Sequence, residues 1–338
     1  MKTKITVTIA VMLIVILLAI SIGSVTVPIP EILRIIANRI FGIGFAEDIS
    51  STNASIIWNA RLPRALLAFI VGAMLSVSGA IMQSVLRNPL ASSFTLGVSS
   101  GASLGAALVI FFGISFLPNF TLPAAGFVLG MGTMVLAIAF ASRIDGMMEN
   151  NTIILMGMVM SLFINSITTL LMALQRESVQ RLIFWQMGSL SSRGWDPPYI
   201  LLPVMSIGIL ICIIHHRELD LMTFGEETAR TIGVGIVRVK WILLITAAAM
   251  TGSAIAFVGI IGFVDLIAPH IVRRIFGPRH VVLIPLSAVA GGTITALSDL
   301  IARTITAPTE LPIGVVTALI GAPFFAYIYF AGRRRKNA

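Results

Sequence analysis

Polar side chains are almost absent from long stretches of this chain. Those stretches show neither the alternation of a half-buried strand nor the one-sided stripe of a soluble surface helix. Nine apolar runs cover residues 5–27, 65–86, 93–118, 120–142, 151–175, 197–214, 241–259, 281–299 and 312–331. A helix needs about 20 largely apolar residues to cross a bilayer, and most of these runs are of that order. A tenth run, 260–276, is shorter and carries Asp265, His270, Arg273 and Arg274. In lipid every backbone N–H and C=O has to be satisfied internally. A helix does this alone, whereas a transmembrane barrel would show a period of two. The pattern therefore predicts an all-α polytopic membrane protein with about ten transmembrane helices.

Composition agrees. Of 338 residues 57% are hydrophobic and 11% charged, with a mean hydropathy of +1.01. A soluble domain carries about 25% charged residues, so too little charge is present to coat a globule. The net charge of +9 is read as topology and contact with anionic lipid, not as a nucleic-acid surface. Ten spans put Lys2 and Lys4, the charged stretch Arg217–Lys240 and the basic run Arg333 to Lys336 on one side, the cytoplasmic one, together with both termini. The N-terminal apolar run is too long for a signal peptide and is read as a retained first helix. No segment rich in Pro, Gly or Ser divides the chain, so residues 1–338 read as a single membrane domain.

Three segments carry more than hydropathy. In the first, Asn88-Pro89 breaks the chain between two spans, and Gln83 sits one turn earlier, where its amide can hydrogen-bond across helices. Gly97, Gly101 and Gly105 follow at spacing four, a face that lets two helices approach closely. In the second, residues 217–240, Gly225 and Gly233 bracket a short predicted helix. Glu226 and Glu227 lie in its first turn and Arg230 near its last, complementing the helix dipole. Glu226 and Arg230 also form an i,i+4 pair. A charged loop that retains Leu219, Leu221, Met222 and Phe224 reads as a docking element for a soluble partner. In the third, residues 259–277, Pro269 predicts a kink, and Asp265 and His270 need partners in apolar surroundings. Asp299 and Arg303 are spaced to pair with each other.

Catalytic chemistry is not in view. The chain has no G-x-x-x-x-G-K-[ST] and only four lysines, so it cannot hydrolyse ATP through a P-loop. It has no H-E-x-x-H, and its single cysteine, Cys212, sits in an apolar run as a packing thiol. No catalytic residue and no metal site are expected, and the chain is not read as an enzyme.

Several motifs resemble the permease subunits of ABC importers for iron-siderophore complexes, haem and cobalamin. They are RLPR at 61–64, GAIMQSVLRNPLA at 79–91, LGVSSGA at 96–102, WQMGSL at 185–190 and FGEETARTIG at 224–233. GFVDLIAPHIVRR at 262–274, SDLIART at 298–304 and ELPIGVVTALIGAPFF at 310–325 complete the set, in the family's order over nearly the whole chain. Asp265 departs from the pattern where Gly is common, as does Ser93 where Pro is common.

The resemblance implies a type II ABC importer permease fold in the cell (inner) membrane, and no cofactor in this chain. A second permease subunit would complete a homo- or heterodimer, two cytoplasmic ATPase subunits would bind ATP and Mg, and an extracytoplasmic binding protein would deliver cargo. Arginines that grip the binding protein map onto Arg61, Arg64 and Arg303. The ATPase-coupling element maps onto Gly225, Glu226, Glu227, Ala229, Arg230 and Gly233, and the pathway and helix-packing positions onto Gln83, Asn88, Pro89, Gly97, Gly101 and Gly105. The implied cargo is an iron-siderophore complex, with haem or cobalamin as alternatives. A proton-coupled secondary transporter using Asp265, His270 or Asp299 is the competing reading.

Overall fold

The computed structural model describes residues 1–23, 25–42, 50–191 and 194–334. Arg335 and Lys336 of the basic C-terminal run lie outside them. The described residues form fifteen α-helices and no strand. In chain order they are α1 Lys2–Ser21, α2 Ile29–Phe41, α3 Ser51–Ile56, α4 Leu62–Val85, α5 Val98–Phe112, α6 Thr121–Ile144, α7 Asn150–Leu174 and α8 Val179–Gln186. There follow α9 Asp196–Ile214, α10 His216–Thr223, α11 Glu226–Thr231, α12 Ile236–Val258, α13 Val264–Phe276, α14 His280–Thr304 and α15 Ile313–Arg334. Seven of them, among the described residues, are long and apolar enough to cross a membrane. Helices α5, α13 and α15 bring the bundle to the ten elements expected.

The boundaries move where sequence punctuation is strong. The first apolar run stops being helical at Ser21, ahead of Pro28 and Pro30, so the expected span 5–27 is too long. The chain then forms α2, an amphipathic helix that buries Ile32 and Ile35 and exposes Arg34 and Arg39. The hydropathy reading did not anticipate this helix. The third span starts at Val98 rather than residue 93, because Gly97 has φ +94°, a left-handed conformation that suits a helix entry without a side chain. Pro269 lies within an otherwise continuous α13.

Helix α4 is the centre of the bundle. Every residue from Ile70 to Leu86 is buried, whereas in α7 only Ile153, Gly157 and Thr168 are. Small residues make this burial possible. A Cβ on Gly72 would run into the Gly291 carbonyl of α14, and one on Gly291 would run into the Gly72 carbonyl. Two turns along α4, a Cβ on Gly79 would fall on the backbone carbonyl of Asp265 in α13. Helix α5 meets α6 in the same way, with Gly101 against Leu129 and Gly105 against Ala125. The hydrophobic effect does not draw two apolar helices together in lipid, so association rests on dispersion between closely fitted surfaces.

Adding one methyl at Gly79 should force α4 and α13 apart. Gly79→Ala is expected to cost about 1–3 kcal/mol, the range for overpacking. Gly132→Ala, where a Cβ meets nothing within 4 Å, should leave stability unchanged or slightly raised. Thermal unfolding of the two purified variants in one detergent checks the difference.

Candidate functional site

Polar chemistry collects at the two ends of α4, which its 24 residues separate by about 35 Å. At the first end, a single π-helical turn, Ile57–Arg61, feeds into α4. It delivers Arg61 to the end of α1, where the last carbonyls have no intrahelical partner. The guanidinium donates to the carbonyls of Ile20 (3.1 Å), Ser21 (2.8 Å) and Val25. Arg61 is 6% exposed. In this structure it is a buried cap on the end of α1.

Arg64 lies one turn further along α4. Its Nε donates to both carboxylate oxygens of Asp299 (3.1 and 3.0 Å) and its Nη2 to Asp299 Oδ1 (2.9 Å). The outer edge of the fork donates to Glu310, Nη1 to Oε1 at 2.8 Å and Nη2 to Oε2 at 3.0 Å. Arg303 donates to the Ala19 carbonyl and approaches Asp299 at 3.8 Å. The i,i+4 pairing read from the sequence is thus present, but Arg64 is the main partner of Asp299. Glu310 also accepts the Ser191 hydroxyl. The Arg64 hydrogen bonds, and then the Ser191 one, hold the Glu310 carboxyl below the usual range against the opposing effect of burial. All three predicted arginines come together here, but each is engaged within the chain. At the same end the rings of Trp58 and Trp195 lie 5.2 Å apart and Trp195 stacks on Tyr199, aromatics of the kind that sit at a membrane–water boundary.

At the far end of α4, α10 and α11 form a helical corner. Gly225 turns it with φ +129°, and Gly233 ends it with φ +95°. Ala229 is the buried anchor of α11, while Phe224 is 79% and Ile232 61% exposed. Glu226 does not pair with Arg230 as the spacing suggested. It meets Lys240 Nζ at 2.8 Å, and Arg230 reaches Met147 Sδ at 3.5 Å. Lys240 is fully buried and also donates to the Met148 carbonyl (2.6 Å) and Asn150 Oδ1 (2.8 Å). One ammonium thus fastens α11 to α12 and to the turn before α7. In the sequence Lys240 reads only as a topology marker at the head of an apolar run, with Glu226 nearby as the hint of a partner. Arg87, Glu149, Phe224, Glu226 and Glu227 line a concavity of about 710 Å³ beside this corner.

Behind the corner a hydrogen-bonded chain crosses four helices. His280 Nδ1 contacts Asp220 Oδ1 at 2.6 Å and its Nε2 contacts Ser84 Oγ at 2.7 Å. Arg273 donates to Ser84 Oγ and the Ala80 carbonyl, both at 3.1 Å, and to Gln83 Oε1. The Gln83 amide donates to the Asp265 carbonyl (3.2 Å), across helices as expected. Asn88 accepts from the Leu90 N–H (2.9 Å) in the turn that Pro89 continues. Asp265 accepts from Ser92 Oγ. Neither Asp220 nor His280 stood out in the sequence, because 60 positions separate the pair.

This is a helical bundle with polar machinery at its ends, and its fold is that of a type II importer permease. It matches a metal-chelate type ABC transporter solved in an inward-facing conformation with a TM-score of 0.85 and 28% identity, covering 98% of this chain and 100% of that one. The chain therefore falls in the class of membrane-spanning, non-catalytic subunits of ABC importers. Within that class it belongs to the FecCD transport family, whose profile matches residues 11–331. It is 41% identical to the uncharacterized ABC transporter permease YvrB of Bacillus subtilis over 92% of this chain and 89% of that one. It is 38% identical to the Fe(3+) dicitrate permease FecD of Escherichia coli (81% and 84%) and 37% identical to the cobalamin permease BtuC of Halobacterium salinarum (83% and 74%). Membership sets aside the proton-coupled secondary transporter. It also implies ATPase and binding-protein partners, with ATP held by the former.

Lys240 should be the most sensitive residue of the corner. Lys240→Met strands Glu226 and two backbone or amide acceptors, at a cost of about 3–5 kcal/mol, the range for breaking a buried pair. Arg230→Met should cost under about 1 kcal/mol, as an exposed contact does. Thermal melts of both variants test the contrast.

Proposed function

We propose that this permease moves an iron-siderophore complex into the cytoplasm by ATP-driven alternating access. The observation that carries the importer mechanism is the α10–α11 corner. An exposed phenylalanine and isoleucine stand on a short helix that is fastened, through Glu226 and Lys240, to the bundle itself. A partner pressing on such a surface moves α12 and the turn before α7 with it. In this reading the corner faces the cytoplasm with both termini, and two ATPase subunits dock on the corners of a permease dimer. Closing of the ATPase dimer then rocks the bundle between outward- and inward-open states.

The opposite end, around Arg64, receives the binding protein. Arg61 and Arg303 keep the rim in shape by capping α1, and Arg64 is the arginine closest to meeting an acidic partner. Cargo assignment to a ferric chelate is supported by the likeness to the ferric dicitrate permease and to the metal-chelate transporter. Cobalamin is the second reading, favoured by the likeness to a cobalamin permease.

The function is tested by uptake into proteoliposomes holding this permease with its co-purified ATPase. Uptake is expected to require ATP and a cognate binding protein, and to be selective for ferric siderophores over haem and cobalamin. Uptake of cobalamin alone would replace the cargo, and uptake without ATP would overturn the mechanism. Phe224→Asp is expected to lower ATPase co-purification and the ATP-driven uptake rate at least tenfold (about 1.4 kcal/mol of interface energy) with no loss of thermal stability.

A further inference from the structure

Arg64 does not stand free to receive a partner. Half of its fork is bound to Asp299, whose side chain is 3% exposed, and the other half to Glu310, whose side chain is 39% exposed. The two carboxylates differ in what holds them. Asp299 lies inside the bundle on α14 with Arg303 beside it. Glu310 lies on the segment between α14 and α15, and among the described residues its further side-chain partner is the Ser191 hydroxyl. A carboxylate arriving from outside would meet Arg64 on the edge that Glu310 occupies, and in the same bidentate geometry.

We propose that Glu310 is a built-in stand-in for the binding protein's acidic residue, so that docking proceeds by exchange of one carboxylate for another on Arg64. This rests on the reading of the Arg64 end as the binding-protein face. The partner it fits is a protein surface presenting a carboxylate. The exchange has a mechanical consequence. The segment around Glu310 is tied to three elements: to α4 through Arg64, to the turn after α8 through Ser191, and to α14 through the Leu311 N–H on the Ala302 carbonyl at 2.9 Å. The next residues, Ile313 and Gly314, donate to the carbonyls of Gly188 (3.3 Å) and Met187 (3.1 Å). Exchange cuts the tie to α4 alone. The lead-in to α15 then remains fastened to the α8 turn and to α14 while α4 passes to the partner.

The test is the affinity of the detergent-purified permease–ATPase complex for the binding protein that supports its uptake. Glu310→Gln removes the competing charge with little change of shape. It should tighten docking roughly two- to fivefold, the range an exposed ion pair spans. Arg64→Gln/Asp299→Asn removes the buried pair together, leaves Arg303 on the Ala19 carbonyl and Glu310 on the Ser191 hydroxyl, and should weaken docking. Adding Glu310→Gln to that double variant should then change nothing. If Glu310→Gln leaves affinity unchanged or weakens it while the double variant weakens docking, the exchange fails and the docking face stands. If Glu310→Gln tightens docking equally without Arg64, Glu310 merely repels the partner and the proposal is overturned. Unchanged docking in the double variant would remove the Arg64 face itself, and the proposal with it.

Discussion

Helix α4 can occupy the middle of this bundle only where neighbouring backbones come within touching distance of its own. At Gly72 the facing atoms are the Gly291 carbonyl and the Thr295 side chain, and at Gly79 they are the backbone of Asp265. With lipid outside, apolar side chains gain nothing by leaving it for one another, so the fit has to come from contact area. Small residues supply that area by letting backbones, which vary least, form the contact. The result is a stiff rod held at two points, against α14 and against α13. Arg64 and Gln83 sit near its opposite ends. Anything that tilts one end must slide a glycine past a carbonyl, and so moves the other.

The charges obey the complementary rule. A buried ion is costly unless it is paired and its remaining donors are used. Lys240 spends its ammonium on Glu226, Asn150 and the Met148 carbonyl. Arg64 spends both edges of its fork, and Arg61 donates to three carbonyls at the end of α1. In each case the partners include groups far apart in the chain, such as Met148 and Asn150 for Lys240. The charged residues therefore act as fasteners between helices that hydrophobicity alone would leave free to slide. They also confine motion to those places where a fastener has an exposed side, namely Glu310 at one end and the α10–α11 corner at the other.

Which of this could be read from the sequence follows from range. Hydropathy is a local property, and it located the ten apolar elements. The Gly225–Gly233 bracket and the Asn88-Pro89 break were legible because a positive φ or a missing N–H is written into single residues. The spacing-four glycines at 97, 101 and 105 announced a close helix contact, though not that α6 would fill it. Partner choice was illegible. Glu226 and Arg230 are at pairing distance along a helix, yet the buried ammonium of Lys240 outcompetes an exposed guanidinium, because an unpaired charge costs far more inside than outside. The partners of the rim arginines were illegible for a related reason. A basic residue near a span end looks exposed in sequence, whereas Arg61 turns back to satisfy the end of α1. The amphipathic α2 was missed because a search for long apolar runs passes over a helix with only one apolar face.

Asp265 shows how far a side chain can be separated from the position it occupies. The family resemblance leads one to expect glycine there, as at a place where a side chain does harm. In this structure the crowded atom at residue 265 is its carbonyl, which faces Gly79 and accepts from the Gln83 amide. The carboxylate points elsewhere and takes the hydroxyl of Ser92, in the turn between α4 and α5. The close crossing of α4 and α13 thus depends on glycine at 79 and only on a backbone at 265. That leaves the side chain of residue 265 open to change, and here it adds a tie between the start of α13 and the turn leaving α4. The same pair of helices is joined again by Arg273 on Gln83, Ser84 and the Ala80 carbonyl. With both ties in place, α13 follows the end of α4 as one body, and the Asp220–His280 contact brings the corner on which an ATPase would press into the same unit.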